Sequence, residues 1–264
     1  MTEKNNNYGP DHEFISERAR TDIPGFDSLI NGGFPRNFNI LLTGGPGTGK
    51  SIFGMQYLFN GATKNGETGL FVSFEQTSEK LKKQANQFGW NMHALEETGE
   101  VHIMNIPAVR INKKTITKIK NYIEDNNIKR IVIDSLSALV INAPIYNTLA
   151  GLNSIDKSSG KTYSAPPIVG EHIINRFLYS FIDELEQVDA TKLLIAESSN
   201  SGKTNDEVTL GEYVCDGVIT LSFENHGQEF SRSITIKKMR ETKNDDSAHP
   251  VEIGKHGIVI HKQR

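Results

Sequence analysis

Apolar positions follow two different periods along the first three quarters of the chain. Short apolar runs, typical of buried strands, are separated by segments in which apolar residues recur every three to four positions, as in amphipathic helices. The predicted strands are Phe38–Thr43, Gly69–Phe74, Val101–Ile106, Arg130–Asp134 and Lys192–Ala196. The predicted helices are Lys50–Ala62, Ser78–Phe88, Lys114–Asn126 and Gly170–Val188, the second with Thr77 as its N-cap. This alternation predicts an α/β fold with a mostly parallel central sheet flanked by helices.

The last quarter of the chain has a period of two. Beyond Gly211 the alternation predicts strands at Gly217–Phe223, Ser231–Lys238 and Gly257–His261. Asn225–Gln228 lies between the first two of these strands and has the composition of a hairpin turn. We therefore expect a C-terminal antiparallel β extension of the parallel sheet.

Two segments lie outside both patterns. Residues 1–15 are polar and rich in Asn, which predicts a disordered extension ahead of a single domain covering residues 16–264. Ile141–Pro167 is polar, contains three prolines and shows no period. Because loops of this length are usually functional or disordered, residues 141–167 are predicted to be a polar loop insertion.

Composition narrows the possible classes of function. The 264 residues include 29 basic and 32 acidic side chains, a formal charge of −3, which argues against binding nucleic acid through overall charge. The single cysteine, Cys215, excludes an internal disulfide framework, and the absence of a nearby histidine motif favours a small core residue over a nucleophile. No apolar run approaches the roughly 20 residues that a membrane span needs, so we expect a cytoplasmic protein with no membrane contact.

The strongest motif follows the first predicted strand and opens the first predicted helix. It consists of Gly44, Gly45, Pro46, Gly47, Thr48, Gly49, Lys50 and Ser51, a P-loop pattern. Glycines let backbone N–H groups surround phosphate oxygens, and the helix N-terminus adds favourable charge. In this pattern Lys50 reaches the β- and γ-phosphates and the Ser51 hydroxyl ligates Mg²⁺. The motif therefore predicts a site for ATP and Mg²⁺.

Two acidic residues complete this predicted site. Asp134 ends the apolar strand Arg130–Asp134 at the edge where open α/β sheets bind ligands, so it is the second candidate for holding Mg²⁺. Glu75 follows the strand after the P-loop helix and is the candidate for activating water, provided that its strand lies beside that of Asp134. Without the P-loop, either carboxylate could be a solvated residue at a strand end.

A wider set of motifs resembles the KaiC-like ATPases of the RecA superfamily, from about Arg20 to Ile260. The motifs are Thr21–Asp27, Gly32–Gly33, the P-loop, Ser73–Glu75, Phe88–Trp90, Ile133–Ser137, Lys238–Arg240 and His256–Gly257. The resemblance implies a RecA-like core, ATP hydrolysis and a regulatory homo-oligomeric ring, usually of six subunits, with ATP between neighbours.

The resemblance also gives a role to Lys238, Met239 and Arg240. They match the family's nucleotide-contacting positions, and Lys238 and Arg240 would reach the γ-phosphate of the next subunit as catalytic cations. The residues alone would equally fit two surface cations on an edge strand, with both side chains on one face. Where the family often has two adjacent acids, this chain has Glu75 and Gln76, so water activation is assigned to Glu75 alone.

Alternatives remain open at this stage. Ile141–Pro167 and Ser199–Thr209 fall where recombinases of the superfamily grip DNA, so the chain could be a DNA-binding recombination accessory ATPase. Their mixed charges and few aromatic residues favour contact with a protein partner, or a passive insertion. An autokinase is the third alternative, although Glu212 and Tyr213 stand where the kinase half of KaiC carries a Ser-Thr pair.

Overall fold

The computed structural model describes residues 17–107, 111, 113–141, 167–198, 206–226 and 229–262. The predicted extension, residues 1–15, lies outside these ranges, as do residues 142–166 of the predicted insertion and residues 199–205 of the second predicted loop. Within the described ranges, no helix combines the length and the apolar character that crossing a membrane requires.

Most described strands belong to one large sheet. A small antiparallel pair joins β1 (Arg18–Ala19) to β2 (Phe34–Pro35). The large sheet contains β3 (Asn39–Gly44), β4 (Gly69–Ser73), β5 (Val101–Asn105), β6 (Arg130–Asp134), β7 (Thr191–Glu197), β8 (Gly217–His226), β9 (Glu229–Met239), β10 (His249–Gly254) and β11 (Gly257–Ile260). Its order is β11-β10-β9-β8-β3-β7-β6-β4-β5, parallel from β8 to β5 and antiparallel from β8 to β11. This confirms the predicted parallel sheet with its antiparallel extension.

Helices cover both faces of the sheet. They are α1 (Lys50–Asn65), α2 (Ser78–Asn86), α3 (Met92–Glu97), α4 (Lys113–Asp125), α5 (Leu136–Ile141), α6 (Pro167–Glu186) and α7 (Asp206–Val214). Side chains of α1 to α3 pack in one apolar cluster with Phe71, while α4 to α7 contribute to a second cluster with Leu70 and Val72. Alternate residues of β4 therefore belong to opposite cores, as expected of a strand buried on both faces.

The structure adds elements that periodicity did not predict. Helix α3 is only six residues long, and Asn91 caps it by accepting a 3.1 Å hydrogen bond from the Ala94 N–H. Strand β10 begins at His249 and contains Pro250, which weakened its strand signal. Thr77 does precede α2, but its side chain makes no capping bond; its backbone carbonyl instead accepts from Lys80 and Leu81.

The helix that follows the P-loop is attached to the far edge of the sheet by one buried side chain. The amide of Gln56 accepts a 2.7 Å hydrogen bond from the Ile258 N–H and donates one of 3.1 Å to the Ile258 carbonyl. A Cβ on Gly257, whose φ is +105°, would overlap Gln56 and Trp90. The orientation of α1, and with it the start of the P-loop helix, is therefore fixed by both the central and the C-terminal strands.

Candidate nucleotide-binding site

The P-loop motif forms a tight connection between β3 and α1. Gly47 and Gly49 have φ angles of +74° and +104°, a region that L side chains rarely adopt. Gly49 is the N-cap of α1, and a Cβ there would lie 3.0 Å from Cδ1 of Ile253. Thr48 braces the loop from inside through a 2.9 Å hydrogen bond from its Oγ1 to the Gly45 carbonyl. The residues therefore leave a backbone cradle at the N-terminus of a helix, the geometry that suits phosphate.

Lys50 lies buried against its own loop. Its Nζ donates to the carbonyls of Gly44 and Gly45 at 2.8 and 2.9 Å. Burial lowers the pKa of the ammonium, while the nearby carboxylates of Glu197, Asp134 and Glu75 oppose that shift. A cation surrounded by acidic groups and held only by carbonyls is suited to exchange them for phosphate oxygens.

Ser51 and Asp134 lie side by side although they are 83 positions apart. The Ser51 hydroxyl donates a 2.7 Å hydrogen bond to Oδ2 of Asp134. Burial raises the pKa of Asp134 to about 6, whereas the bond from Ser51 and the charge of Lys50 oppose the rise. Mg²⁺ is commonly bound by one or two protein oxygens together with substrate phosphates, so this donor pair beside the P-loop fits that ion.

Glu75 joins the same group of side chains. Strand β4 pairs with β6 so that Ser73 lies opposite Asp134, which confirms that the two strands are neighbours. Ser135 Oγ donates a 2.8 Å hydrogen bond to Oε1 of Glu75 and accepts one of 3.3 Å from the Ala138 N–H. Sequence reasoning noted Ser135 only as part of a motif, although it fixes the carboxylate of the predicted water-activating residue.

A cleft of about 520 Å³ connects these residues. It is lined by the P-loop and by Ile52, Glu75, Gln76, Gln84, Asp134, Ser135, Glu197, Arg232 and Ile253. Sequence reasoning did not assign Glu197, Gln84 or Arg232 to this site. Glu197 was detectable, since it ends β7 at the ligand-binding edge of the sheet.

Arg232 closes one side of the cleft from the antiparallel extension. Its guanidinium lies 4.8 Å above the Phe223 ring, with Nε and one terminal nitrogen each 3.4 Å from the Gly47 carbonyl. Such a contact between a β9 residue and the loop was not visible in the sequence, because it depends on the pairing of β8 with β9.

Lys238 and Arg240 lie outside this cleft. Four strand spacings separate β9 from β6, which places Lys238 about 19 Å across the sheet from Asp134. Lys238 Nζ donates to the Cys215 and Glu212 carbonyls at 2.7 and 3.2 Å, and Arg240 pairs with Asp216 at 2.8 Å. Within one chain, these cations cannot reach the Ser51–Asp134 pair.

A β-bulge aims these two cations outward. Val218 pairs with Lys238 but Ile219 pairs with Ile236, so Lys237 is an extra residue in β9. Ile234 and Ile236 are buried, and simple alternation would bury residue 238 next; the bulge buries Met239 instead. The side chain of Met239 is thus part of the core, and nucleotide contact at residue 239 stays a prediction that would involve its backbone.

Other candidate chemistry is absent from the described part of the chain. Within it, no group of three or more His, Cys, Asp or Glu side chains is arranged to hold a metal ion by itself. Cys215 is buried, and burial raises the pKa of its thiol to about 12, which confirms it as a core residue rather than a nucleophile. A metal held by Ser51 and Asp134 would therefore need phosphate oxygens and water as its remaining ligands.

Comparison with known proteins agrees with this geometry. A protein-family model described as "ATPase: KaiC" matches residues 19–147 and 154–264. The chain belongs to the KaiC ATPase family. The predicted RecA-like architecture of this KaiC-family chain is thus confirmed.

Relatives of this KaiC-family chain occur in archaea and bacteria. A UPF0273 protein of Pyrococcus horikoshii is 28% identical over 95% of this chain and 96% of its own length. The circadian clock oscillator protein KaiC of Synechococcus elongatus is 30% identical over 98% of this chain but only 46% of its own length. The crystal structure of a KaiC-like protein from P. horikoshii superposes with a TM-score of 0.76 at 30% identity, covering 94% of this chain and all of that one.

Proposed function

We propose that this chain hydrolyses ATP with Mg²⁺ and works as a homo-oligomeric ring in which an adjoining copy completes each site. One observation carries the proposal: the Ser51–Asp134 pair, joined at 2.7 Å, lies in the same cleft as Glu75, which a 2.8 Å bond from Ser135 holds. These are the groups needed to hold a metal and to activate water, and they lie in one cleft with Lys50.

The P-loop side of the cleft would bind the phosphates. Backbone N–H groups at residues 45–51 and the N-terminus of α1 favour negative charge, and Lys50 would exchange its carbonyl partners for β- and γ-phosphate oxygens. Ser51 and Asp134 would hold Mg²⁺. When bound there, Mg²⁺ neutralises charge that develops on the phosphate oxygens during transfer.

Glu75 would orient and deprotonate the attacking water. The Ser135 hydroxyl occupies Oε1 of Glu75, so the carboxylate has a fixed plane and its Oε2 can accept a hydrogen bond from water. Gln76, which also lines the cleft, has no charge to share this work. A single carboxylate in this role is consistent with a slow or regulated ATPase.

Lys238 and Arg240 would act on the nucleotide of an adjoining copy. They lie close enough that the charge of Arg240 adds to burial in lowering the pKa of Lys238. Such a pair of like charges is stabilised by an anion, and it lies at the opposite end of β9 from Arg232, the β9 residue that lines the cleft of its own chain. Cations held in fixed geometry offset the charge that builds up on a transferred phosphoryl group.

The family resemblance supports the finer parts of the proposal. A ring of six copies and a regulatory or signalling role are the expectations that it gives. The acidic overall charge of −3 fits a protein partner better than nucleic acid.

The test is the ATPase rate per subunit as a function of protein concentration, measured together with oligomeric mass in the presence and absence of Mg²⁺ and ATP. We expect the rate per subunit to rise as the oligomer forms. A full rate in dilute monomer would overturn the role of the adjoining copy, and no hydrolysis by the assembled oligomer would overturn the ATPase itself.

Mixing two inactive variants tests the arrangement directly. Arg240→Ala keeps its own P-loop and Glu75, whereas Glu75→Gln keeps its cations; a mixture should regain activity that neither has alone. Arg20→Ala is a matched control, because Arg20 is also an exposed arginine in an ion pair, with Asp22 at 3.1 Å.

A further inference from the structure

The C-terminal end of α7 and the two residues that follow it hold Lys238 and Arg240, the two cations that lie outside the cleft. Lys238 Nζ donates to the carbonyls of Cys215 and Glu212, and an Arg240 terminal nitrogen donates to Oδ1 of Asp216 at 2.8 Å. We call Glu212, Cys215 and Asp216 the cation seat. Two of its three acceptors are carbonyls at the C-terminal end of α7, where the helix dipole favours positive charge.

Asp216 is itself fixed to the strand that leads into the P-loop. Its Oδ2 accepts a 3.0 Å hydrogen bond from the Asn39 N–H, and its own N–H donates to the Asn39 carbonyl at 2.9 Å. Its carbonyl accepts from the Arg240 N–H at 3.0 Å. The carboxylate is therefore immobilised on one oxygen and presents the other to the Arg240 side chain.

The backbone that carries Arg240 is held from the opposite side as well. Thr242 Oγ1 donates to the Arg240 carbonyl at 3.1 Å, and Arg18 donates to Thr242 Oγ1 at 2.6 Å and to the Glu241 carbonyl at 3.1 Å. Asp216 takes one of the five N–H donors of the guanidinium, whose side chain stays 51% exposed. Arg240 is thus held in place while its other N–H donors can still bind an anion.

We infer that Asp216 is a positioning residue that presents Arg240 to the phosphate of an adjoining copy. The inference rests on the proposed function, since it concerns the cation that the adjoining site receives. A long arginine side chain loses rotamer freedom when it binds, and a carboxylate that already orders it removes most of that loss before the reaction. Misplacement of such a group by about 1 Å can cost a hundredfold in rate.

The first measurement is steady-state ATP hydrolysis by full-length Asp216→Asn. Asparagine keeps the size of the side chain but loses its charge and one acceptor oxygen. We expect kcat to fall at least about tenfold while KM for ATP changes little, because the P-loop of each chain is intact. Asp189→Asn is the matched control, since Asp189 is also an ion-paired carboxylate, with Lys129 at 2.6 Å, but its partners are Lys129, Asn37 and Arg36 rather than Lys238 or Arg240.

The second measurement separates positioning from a loss of fold. Asp216→Asn is mixed with Glu75→Gln, whose own site is inert but whose cations and seat are intact. In randomly mixed rings about a quarter of the interfaces would join a working P-loop to a correctly held Arg240, so activity should return toward that fraction.

Each outcome decides the inference. Recovery in this mixture supports it. A wild-type rate for Asp216→Asn overturns it. It is also overturned if Asp216→Asn mixed with Glu75→Gln stays inactive while Arg240→Ala mixed with Glu75→Gln regains activity. If neither mixture recovers, the proposed contribution of the adjoining copy fails, and the inference fails with it.

Discussion

Ser135 donates its hydroxyl to Oε1 of Glu75 at 2.8 Å, joining the residue after β6 to the residue that follows the end of β4. The bond fixes the plane of a carboxylate that would otherwise rotate at a strand end. It takes one acceptor position of Oε1 and leaves the rest of the carboxylate able to accept a hydrogen bond from water.

Loss of this bond is expected to slow hydrolysis without weakening ATP binding. Ser135→Ala should lower kcat about tenfold or more at nearly unchanged KM, since only the orientation of Glu75 is altered. Steady-state kinetics checks this. Thr21→Val is the matched control, because Thr21 Oγ1 also donates to a carboxylate, that of Asp27, and accepts from a backbone N–H. An equal fall in kcat for both variants would contradict the role given to Ser135.

The pair formed by Ser51 and Asp134 predicts how binding depends on the metal. Ser51→Ala should retain metal-free nucleotide binding but lose most of the gain in affinity that Mg²⁺ gives, because one of two protein oxygens beside the metal is removed. Ser51→Thr keeps the hydroxyl and should keep that gain. Calorimetric titration with and without Mg²⁺ measures both, and an undiminished metal effect in Ser51→Ala would exclude Ser51 as a ligand.

Asp134 predicts the pH dependence of stability in the absence of metal. Burial raises the pKa of Asp134 from 3.8 to about 6, so between these values the folded chain binds a proton that the unfolded chain does not. The free energy of unfolding should therefore gain a contribution as pH falls from 7 to 4, on the order of 2–3 kcal/mol, which is lost as pH rises through about 6.

Other carboxylates also titrate in this range, so the measured quantity is the difference between wild type and Asp134→Asn. Chemical denaturation at several pH values gives it. The difference should shrink below pH 6, and Mg²⁺ with nucleotide should reverse its sign because the metal favours the ionised carboxylate. A difference that is constant from pH 7 to 4 would show that Asp134 titrates normally.

Gly61 is predicted to tolerate no side chain. The fully buried side chain of Arg130 packs directly against Gly61 in α1. Its guanidinium forms an ion pair with Glu67 and lies over the Tyr57 ring. A Cβ would displace Arg130 from its ion pair, so Gly61→Ala should destabilise the fold by about 2–4 kcal/mol. Gly254→Ala, where a Cβ meets nothing closer than 3.5 Å, is the control, and both are compared by denaturant unfolding.

A second variant tests the cause. Arg130→Met removes the guanidinium group, whose Nε and Cζ atoms a Cβ on Gly61 would meet. Adding Gly61→Ala to this variant should therefore destabilise the fold less than Gly61→Ala does in the wild type. Additive effects would place the strain elsewhere.

The order of elements and the core of the site were predictable because both follow from local patterns. The strand Arg130–Asp134 was predicted with its observed bounds, since an apolar run ends abruptly at a charged residue. The P-loop and Asp134 were found because phosphate and metal chemistry demand particular residue types at particular spacings.

What could not be predicted depends on contacts across the sheet. The bulge at Lys237 changes which face residues 238–240 occupy, and no feature of the β9 sequence alone marks it. Arg232 and Ser135 entered the site only through the pairing of β8 with β9 and of β4 with β6. Strand β10 had alternating burial, but Pro250 concealed it, and α3 was too short to show a period.

Under the proposed function, the distance between the P-loop of each chain and its own Lys238 and Arg240 makes every copy both a recipient and a donor of catalytic cations. Copies in an open row would leave the last P-loop without cations and the first pair of cations without a phosphate. Only closure of the row into a ring makes the number of working sites equal to the number of chains. Under the proposed function, partial assembly therefore lowers activity in steps, and a single missing copy removes a neighbour's chemistry as well as its own.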